Sequence, residues 1–345
     1  MSYSIGWDAI NLRTPERPAH TEYTVNYPFM ERLAGVRKDH PEFMRRWREA
    51  AEFDFAWCTN DGPVGWEKRG RVTDMGHAVY LADGSDKRET ITCPFKSVEE
   101  VLAFDAVAEY GLPDFDDLVA YYEEYHRKTC ATFPGCVMPG GYYRTIVSGA
   151  INAFGWDLLL EAAAYPKEFE KVVDGFFQLS LHHYKAWAKT SIKVFICHDD
   201  MVWSQGPFMR PDFYRKVIFP RYARLWAPLK ERGIKLLYCS DALWTEFMPD
   251  IAAAGADGFI FEPMNSFEYA VEKFGRTHVI VGSKVDCRTL TFGTRDQIKS
   301  ELDASLKLGL RCPGWMCAVG NHIPPNVPLD NALFYLDYLR ANWKR

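Results

Sequence analysis

From Lys193 to the C-terminus, five short apolar runs, VFICHD, IKLLYCSD, GFIFEP, HVIVGSKVD and GWMCAVGNH, alternate with amphipathic segments. Each run stops at a polar residue of a type that binds ligands. Strands and helices alternating in this way build a parallel sheet, because each helix carries the chain back to the edge where it started. In a parallel barrel all strand C-termini lie on one face, so Asp199, Cys239, Glu262, Asp286 and Cys317, distant in sequence, can share one pocket. That arrangement is the arrangement of an enzyme.

Upstream of these runs the pattern is less regular. Residues 1–130 carry turn signals, Asp61-Gly62-Pro63 and Asp83-Gly84-Ser85, around short alternating runs such as Arg71 to Tyr80, and predict an N-terminal elaboration with a small antiparallel patch. From Tyr121 the period becomes helical to about Arg127. An apolar strand follows near Cys136 to Gly140, then a helical pattern from about Asp157 to Lys189 interrupted at Pro166. Pro211 to Arg232 reads as one helix, with Pro211 in its first position and Gly233 as its stop, followed by a strand over Ile234 to Cys239. Thr294 and Gln297 are spaced as a capping box, and a final helix spans Asp330 to Trp343. No strand is followed by a Gly-rich phosphate loop, so the repeated units predict a (β/α)8 barrel over residues 1–345 in preference to a doubly wound nucleotide-binding sheet.

Composition narrows the functional classes. A net charge of −5 with no run of five like charges provides no field for nucleic acid or anionic lipid. The nine cysteines are odd in number and scattered through apolar runs. Together with an N-terminus lacking a signal pattern, they predict reduced thiols and a cytoplasmic protein. No uninterrupted apolar stretch approaches the roughly 18 residues of a membrane span. Aromatic residues make up 15% of the chain, more than barrel layers of Val, Ile and Leu require. A large core with an oligomer interface, such as a homodimer's, accounts for that excess, and so does a pocket for a flat substrate.

Three strand ends carry the chemistry. Cys239 and Asp241 close one strand, Glu262 ends the next and Cys317 lies in the last, four S and O donors compatible with zinc. The alternative for each is a buried apolar thiol or a helix-capping carboxylate. His198, Asp199 and Asp200 end an earlier strand, where an imidazole and carboxylates can act as general acid and base, Asp200 foremost, or serve as turn residues. Asn321 and His322 stand in a loop stiffened by Pro324 and Pro325, which can fix hydrogen-bonding groups over a pocket. Arg144, after Gly140-Gly-Tyr-Tyr143, can pair with a substrate carboxylate or anchor the turn.

From about Thr14 onward the chain resembles the uroporphyrinogen decarboxylase superfamily, which includes the decarboxylases and corrinoid-dependent methyltransferases. The resemblance rests on TPERPAHTEY, HDDMVWSQGPFMRPDFYRKVIFPRY, FMPDIAAAGADGFIFEP, VGSKVDCRTLTFGT and GNHIPPNVPLDNALFYLDYL, in that order. It implies a single (β/α)8 barrel. The decarboxylases carry arginines in a PxWxMRQAGR-like segment, where this chain reads PAHTEYTVNY with none. The methyltransferases hold zinc through an H-x-C pair and a late Cys; here those positions read Cys239-Ser-Asp241 and Asn321, with Cys317 four residues earlier. Among the branches, the O-demethylase members fit best. The resemblance thus implies transfer of a methyl group from a small methylated substrate, an aryl methyl ether, to a corrinoid supplied by a separate partner protein. In that reading Cys239, Asp241, Glu262 and Cys317 form the metal site, and Asp200, His198, His322 and Asn321 are the catalytic groups. A metal-independent decarboxylase of a smaller acid is the second expectation, and a barrel that binds without chemistry the third.

Overall fold

The computed structural model describes residues 1–63, 68–74, 79–80, 86–87 and 92–345. The expected turn at Asp83-Gly84-Ser85 and part of the run from Arg71 to Tyr80 lie outside them. Among the described residues nine strands are present: β1 (Ala19–His20), β2 (Val79–Tyr80), β3 (Asp86–Lys87), β4 (Gly140–Tyr142), β5 (Val194–His198), β6 (Lys235–Ser240), β7 (Gly258–Phe261), β8 (Val279–Val281) and β9 (Trp315–Cys317). β2 and β3 form the expected antiparallel patch. The other seven make one all-parallel curled sheet in the order β1-β9-β8-β7-β6-β5-β4.

Residues 54–56 occupy the gap between the two edges of that sheet. Asp54 donates its amide to the His20 carbonyl (2.9 Å), while Val137 donates to the Asp54 carbonyl (2.9 Å) and Ala56 to the Val137 carbonyl (3.0 Å). Phe55 and Val137 form a parallel bridge. Eight positions thus encircle the axis, the ring being thinnest at residues 54–56. Two of the eight, β1 and residues 54–56, come from the region expected to lie outside the barrel. The difference has a simple cause: two or three residues cannot display a period of two.

Alternation along the strands separates two cores. Facing the axis are small and branched residues, among them Val194, Ile196, Leu237, Cys239, Ile260, Val279, Val281, Met316 and Ala318. Facing the helices is a larger layer rich in rings, including Trp187, Trp226, Trp244, Trp315, Tyr184, Tyr222 and Tyr238. Most of the aromatic excess therefore fills the strand–helix layer. In that layer Tyr222 stacks on Trp226 and Tyr122 on Trp187, with centroids 5.2 and 4.0 Å apart.

Helix boundaries follow local chemistry. Thr294 and Gln297 form the full capping box that opens Arg295–Gly309. Gly233 ends its helix at a φ of 71°. The expected single helix from Pro211 instead consists of Pro211–Phe213, a π turn at Tyr214–Ile218, and Phe219–Glu231. Pro220 has no N–H to return to Lys216, and the wider turn lies immediately ahead of it. The helix Ile146–Ala163 is long and apolar enough to cross a membrane by length and composition, but it is broken at Gly155 and 61% of it is buried inside the protein.

Candidate functional site

Parity along the barrel strands decides which side chains reach the strand C-terminal mouth. On β5, Val194 and Ile196 face the axis, and continuing in steps of two brings His198 and Asp200 to the mouth. On β6, Leu237 and Cys239 lead in the same way to Asp241, and on β7 Ile260 leads to Glu262.

Asp200 is the centre of the resulting network. Its Oδ1 lies 3.1 Å from His198 Nε2 and accepts the Asp241 amide (2.9 Å), while its Oδ2 accepts the Tyr143 hydroxyl (3.0 Å). The Tyr143 ring also meets the His198 ring edge-on, centroids 4.4 Å apart. The backbone of Asp200 is fixed by the hydrogen bond its N–H donates to Ser148 Oγ (2.7 Å). Burial alone would raise the Asp200 carboxyl, but the charge and hydrogen bond of His198, the Asp241 amide and the Tyr143 hydroxyl outweigh it and hold the group below its ordinary range. Asp200 is therefore ionised at neutral pH.

Asp199 points the other way. Its Oδ1 accepts the Ser148 amide and its Oδ2 the Tyr222 hydroxyl, both at 2.6 Å, so it braces β5 against the helices instead of lining the mouth. Asp286 caps the helix Cys287–Phe292 through the Arg288 amide (2.7 Å). Glu262 accepts the Ala242 amide (2.6 Å), and Asn321 donates to its other oxygen; His322 in turn bonds to Asn321. Ala242 and Asn321 both adopt left-handed backbone, with φ of 65° and 63°. Arg144 is engaged by the half-buried carboxylate of Asp61 at 3.7 Å, and Asp61 also accepts the Tyr143 amide (2.7 Å).

The expected metal set does not converge. Cys239 faces the axis beneath Asp241, Asp200 and Glu262, and desolvation together with those carboxylates pushes its thiol well above the usual range. Cys317, one residue out of phase with Met316 and Ala318, faces the helix layer, its Sγ 3.9 Å from the Tyr335 hydroxyl. A strand exposes only alternate residues on one face, so Cys317 cannot join Cys239 and Glu262 at the mouth. A zinc site built on both thiolates does not fit this chain. What the described residues do bring together is His198, Asp200 and Asp241, whose donor atoms lie within 4.8 Å of one another, a group able to hold a metal ion.

Tyr143, Ser148 and Asp61 escaped the sequence reading. Tyr143 was findable, because it follows β4 two residues after axis-facing Gly141. Asp61 reads in the sequence as a turn residue, and Ser148 sits in an apolar helix with no outward signal.

An α/β barrel with a histidine–carboxylate pair at its strand C-termini has the architecture of a barrel enzyme. The uroporphyrinogen decarboxylase (URO-D) family matches residues 139–341, and the chain belongs to that family. Among solved structures, a methyltransferase from Methanosarcina mazei shares the fold with 17% identity, a TM-score of 0.65, and coverage of 98% of this chain and 97% of that one. A B12-independent methionine synthase from Shewanella sp. W3-18-1 is 12% identical with a TM-score of 0.43, over 96% of this chain and 98% of that one. No curated protein matches the sequence.

Proposed function

We propose that the chain is a methyltransferase that takes a methyl group from a small aryl methyl ether and passes it to the Co(I) centre of a separate corrinoid protein. The observation that carries this reading is the make-up of the mouth: three inward carboxylates, Asp200, Asp241 and Glu262, with an aromatic wall where a polycarboxylate binder needs arginines. In the stretch PAHTEYTVNY, Tyr23 lies 6.3 Å from Trp57 and 5.9 Å from His322 between ring centroids. Such a wall suits a flat neutral ring, and the carboxylates repel an anionic substrate. Family membership and the likeness in fold to a methyltransferase support the same reading.

Breaking the CH3–O bond leaves its electron pair on oxygen while the methyl carbon bonds to cobalt. A phenolate leaving group, with an ordinary pKa near 10, departs far more readily when it takes up a proton. With its ring doubly protonated, His198 supplies that proton and becomes neutral, and Asp200, held by Tyr143, Ser148 and the Asp241 amide, orients it. Asn321 and His322 rim the same mouth and are placed to orient the ring oxygen.

The test mixes the purified chain with a Co(I) corrinoid protein and a panel of methoxylated aromatics. Methyl-corrinoid and free phenol should appear together, and Asp200→Asn should slow transfer roughly 100-fold, the scale of a lost acid–base partner. Release of carbon dioxide from a carboxylated substrate without any corrinoid would replace this reading with the decarboxylase.

A further inference from the structure

We infer that Asp199, which does not reach the barrel mouth, is a positioning residue for methyl transfer: its buried carboxylate locks the rotation of β5 and so holds Asp200 against His198. This inference rests on the methyl-transfer reading and adds to it a residue that touches neither the substrate nor the reacting atoms.

Adjacent residues on a strand point to opposite faces, so a strand cannot turn one of them without turning the other. Asp200 faces the mouth, where it meets His198, Tyr143 and the Asp241 amide. Asp199 faces the helix layer, where its Oδ1 accepts the Ser148 amide and its Oδ2 the Tyr222 hydroxyl, both at 2.6 Å. Fixing that outer carboxylate fixes the angle at which the inner one meets His198. Ser148 closes the connection, because the residue whose amide binds Asp199 also accepts the Asp200 N–H at its Oγ (2.7 Å). The helix Ile146–Ala163 therefore grips both aspartates through one serine.

Hydroxyl groups on two further elements hold the backbone on either side of Asp200. Tyr238 on β6 donates to the Asp199 carbonyl and Tyr214 to the Met201 carbonyl, both at 2.8 Å. The Asp199 N–H continues the ladder to the Cys239 carbonyl (3.0 Å). The π turn at Tyr214–Ile218 lets one helical segment supply two of the hydroxyls. Eight residues of regular α-helix would leave Tyr214 and Tyr222 about 80° apart, whereas the extra residue absorbed by a π turn brings them to within about 20°. Both then face the end of β5. Asp199, Ser148, Tyr214, Tyr222 and Tyr238 are each exposed by 1% or less, so water does not replace a bond that is lost there.

The test measures methyl transfer and amide hydrogen exchange in the full chain. Asp199→Ala should lower kcat roughly 100-fold, the scale of a catalytic pair displaced by about 1 Å, with KM within about twofold of the parent. Asp199→Asn, whose amide oxygen still accepts the Ser148 N–H, should recover most of that loss. Tyr222→Phe keeps the ring and removes one bond, and should lower kcat roughly 10-fold. Thr190→Val removes a buried hydroxyl bond to the Trp187 carbonyl (2.7 Å) ahead of the opposite end of β5, and should transfer methyl as the parent does. Without substrate, the Asp200 amide should exchange roughly 10-fold faster in Asp199→Ala than in the parent, and no faster in Thr190→Val. Parent-like kcat in Asp199→Ala, an equal loss in Thr190→Val, or a loss carried by KM alone would overturn the inference. If Asp199→Ala does not fold, Tyr222→Phe decides between the same outcomes. If the parent transfers no methyl group, the methyl-transfer reading fails on its own, and unchanged exchange of the Asp200 amide in both variants would still overturn the lock.

Discussion

His183 makes the stability of this protein sensitive to acid. It lies in the helix Pro166–Trp187, 2% exposed, with Nδ1 2.8 Å from the Tyr122 hydroxyl and its ring stacked on Tyr142 at 4.8 Å. Burial, with a smaller push from His182, drives the imidazole from 6.5 down to about 3. The folded state therefore refuses a proton that the unfolded chain accepts, so the unfolded state binds more protons between the two values and stability rises with pH there. The contribution is complete above about pH 6.5 and is lost as pH falls toward 3. At about 1.4 kcal/mol per pH unit, the loss attributable to this residue is about 2 kcal/mol at pH 5 and about 4 kcal/mol at pH 3. His183→Gln removes the titration while its amide oxygen can still accept from Tyr122. At pH 8 the variant should be weaker by roughly 1 kcal/mol for the lost ring stacking. At pH 5 it should have caught up with the parent by about 2 kcal/mol. Urea unfolding followed by tryptophan fluorescence at the two pH values measures both numbers. Equal losses in parent and variant between pH 8 and pH 5 would refute the reasoning.

Two further substitutions test the frame of the barrel. Asp54 holds buried Arg17 at 2.5 and 3.1 Å and also accepts the amides of Ser2 and His20, in the segment that fills the thinnest part of the ring. Asp54→Ala takes away the two closest carboxylate bonds of that guanidinium, leaving it Glu52 at 3.6 Å, and should cost about 3–5 kcal/mol in urea unfolding, whereas a cost under about 1 kcal/mol would mean the segment is not integral to the barrel. Gly320 precedes Asn321, and a Cβ there would overlap the Pro263 ring. Gly320→Ala must displace the loop carrying Asn321 and His322, so methyl transfer should drop roughly 100-fold with the circular dichroism spectrum unchanged; parent-like rates would remove that loop from the site.

The alternation of apolar runs and helices after Lys193 was enough to establish a parallel α/β barrel, because strand burial and helix amphipathicity are local patterns written residue by residue. The capping box at Thr294 and the stop at Gly233 were legible for the same reason. So was the placing of His198, Asp200, Asp241 and Glu262 at strand ends. What the linear order does not hold is phase. Whether Asp199 or Asp200, Cys239 or Cys317, reaches the axis depends on how each strand is rotated about its own length, and a shift of one residue exchanges the two faces. Neighbouring strands and the ring-filled helix layer decide that rotation. They turn Cys317 toward Tyr335 and Asp199 toward Tyr222, while His198, Asp200 and Asp241 meet over the barrel. The parts of the barrel hardest to read, β1 and residues 54–56, join the ring only because their partners on either side supply the hydrogen bonds. Two residues have no period of their own, so the tertiary structure alone could reveal them.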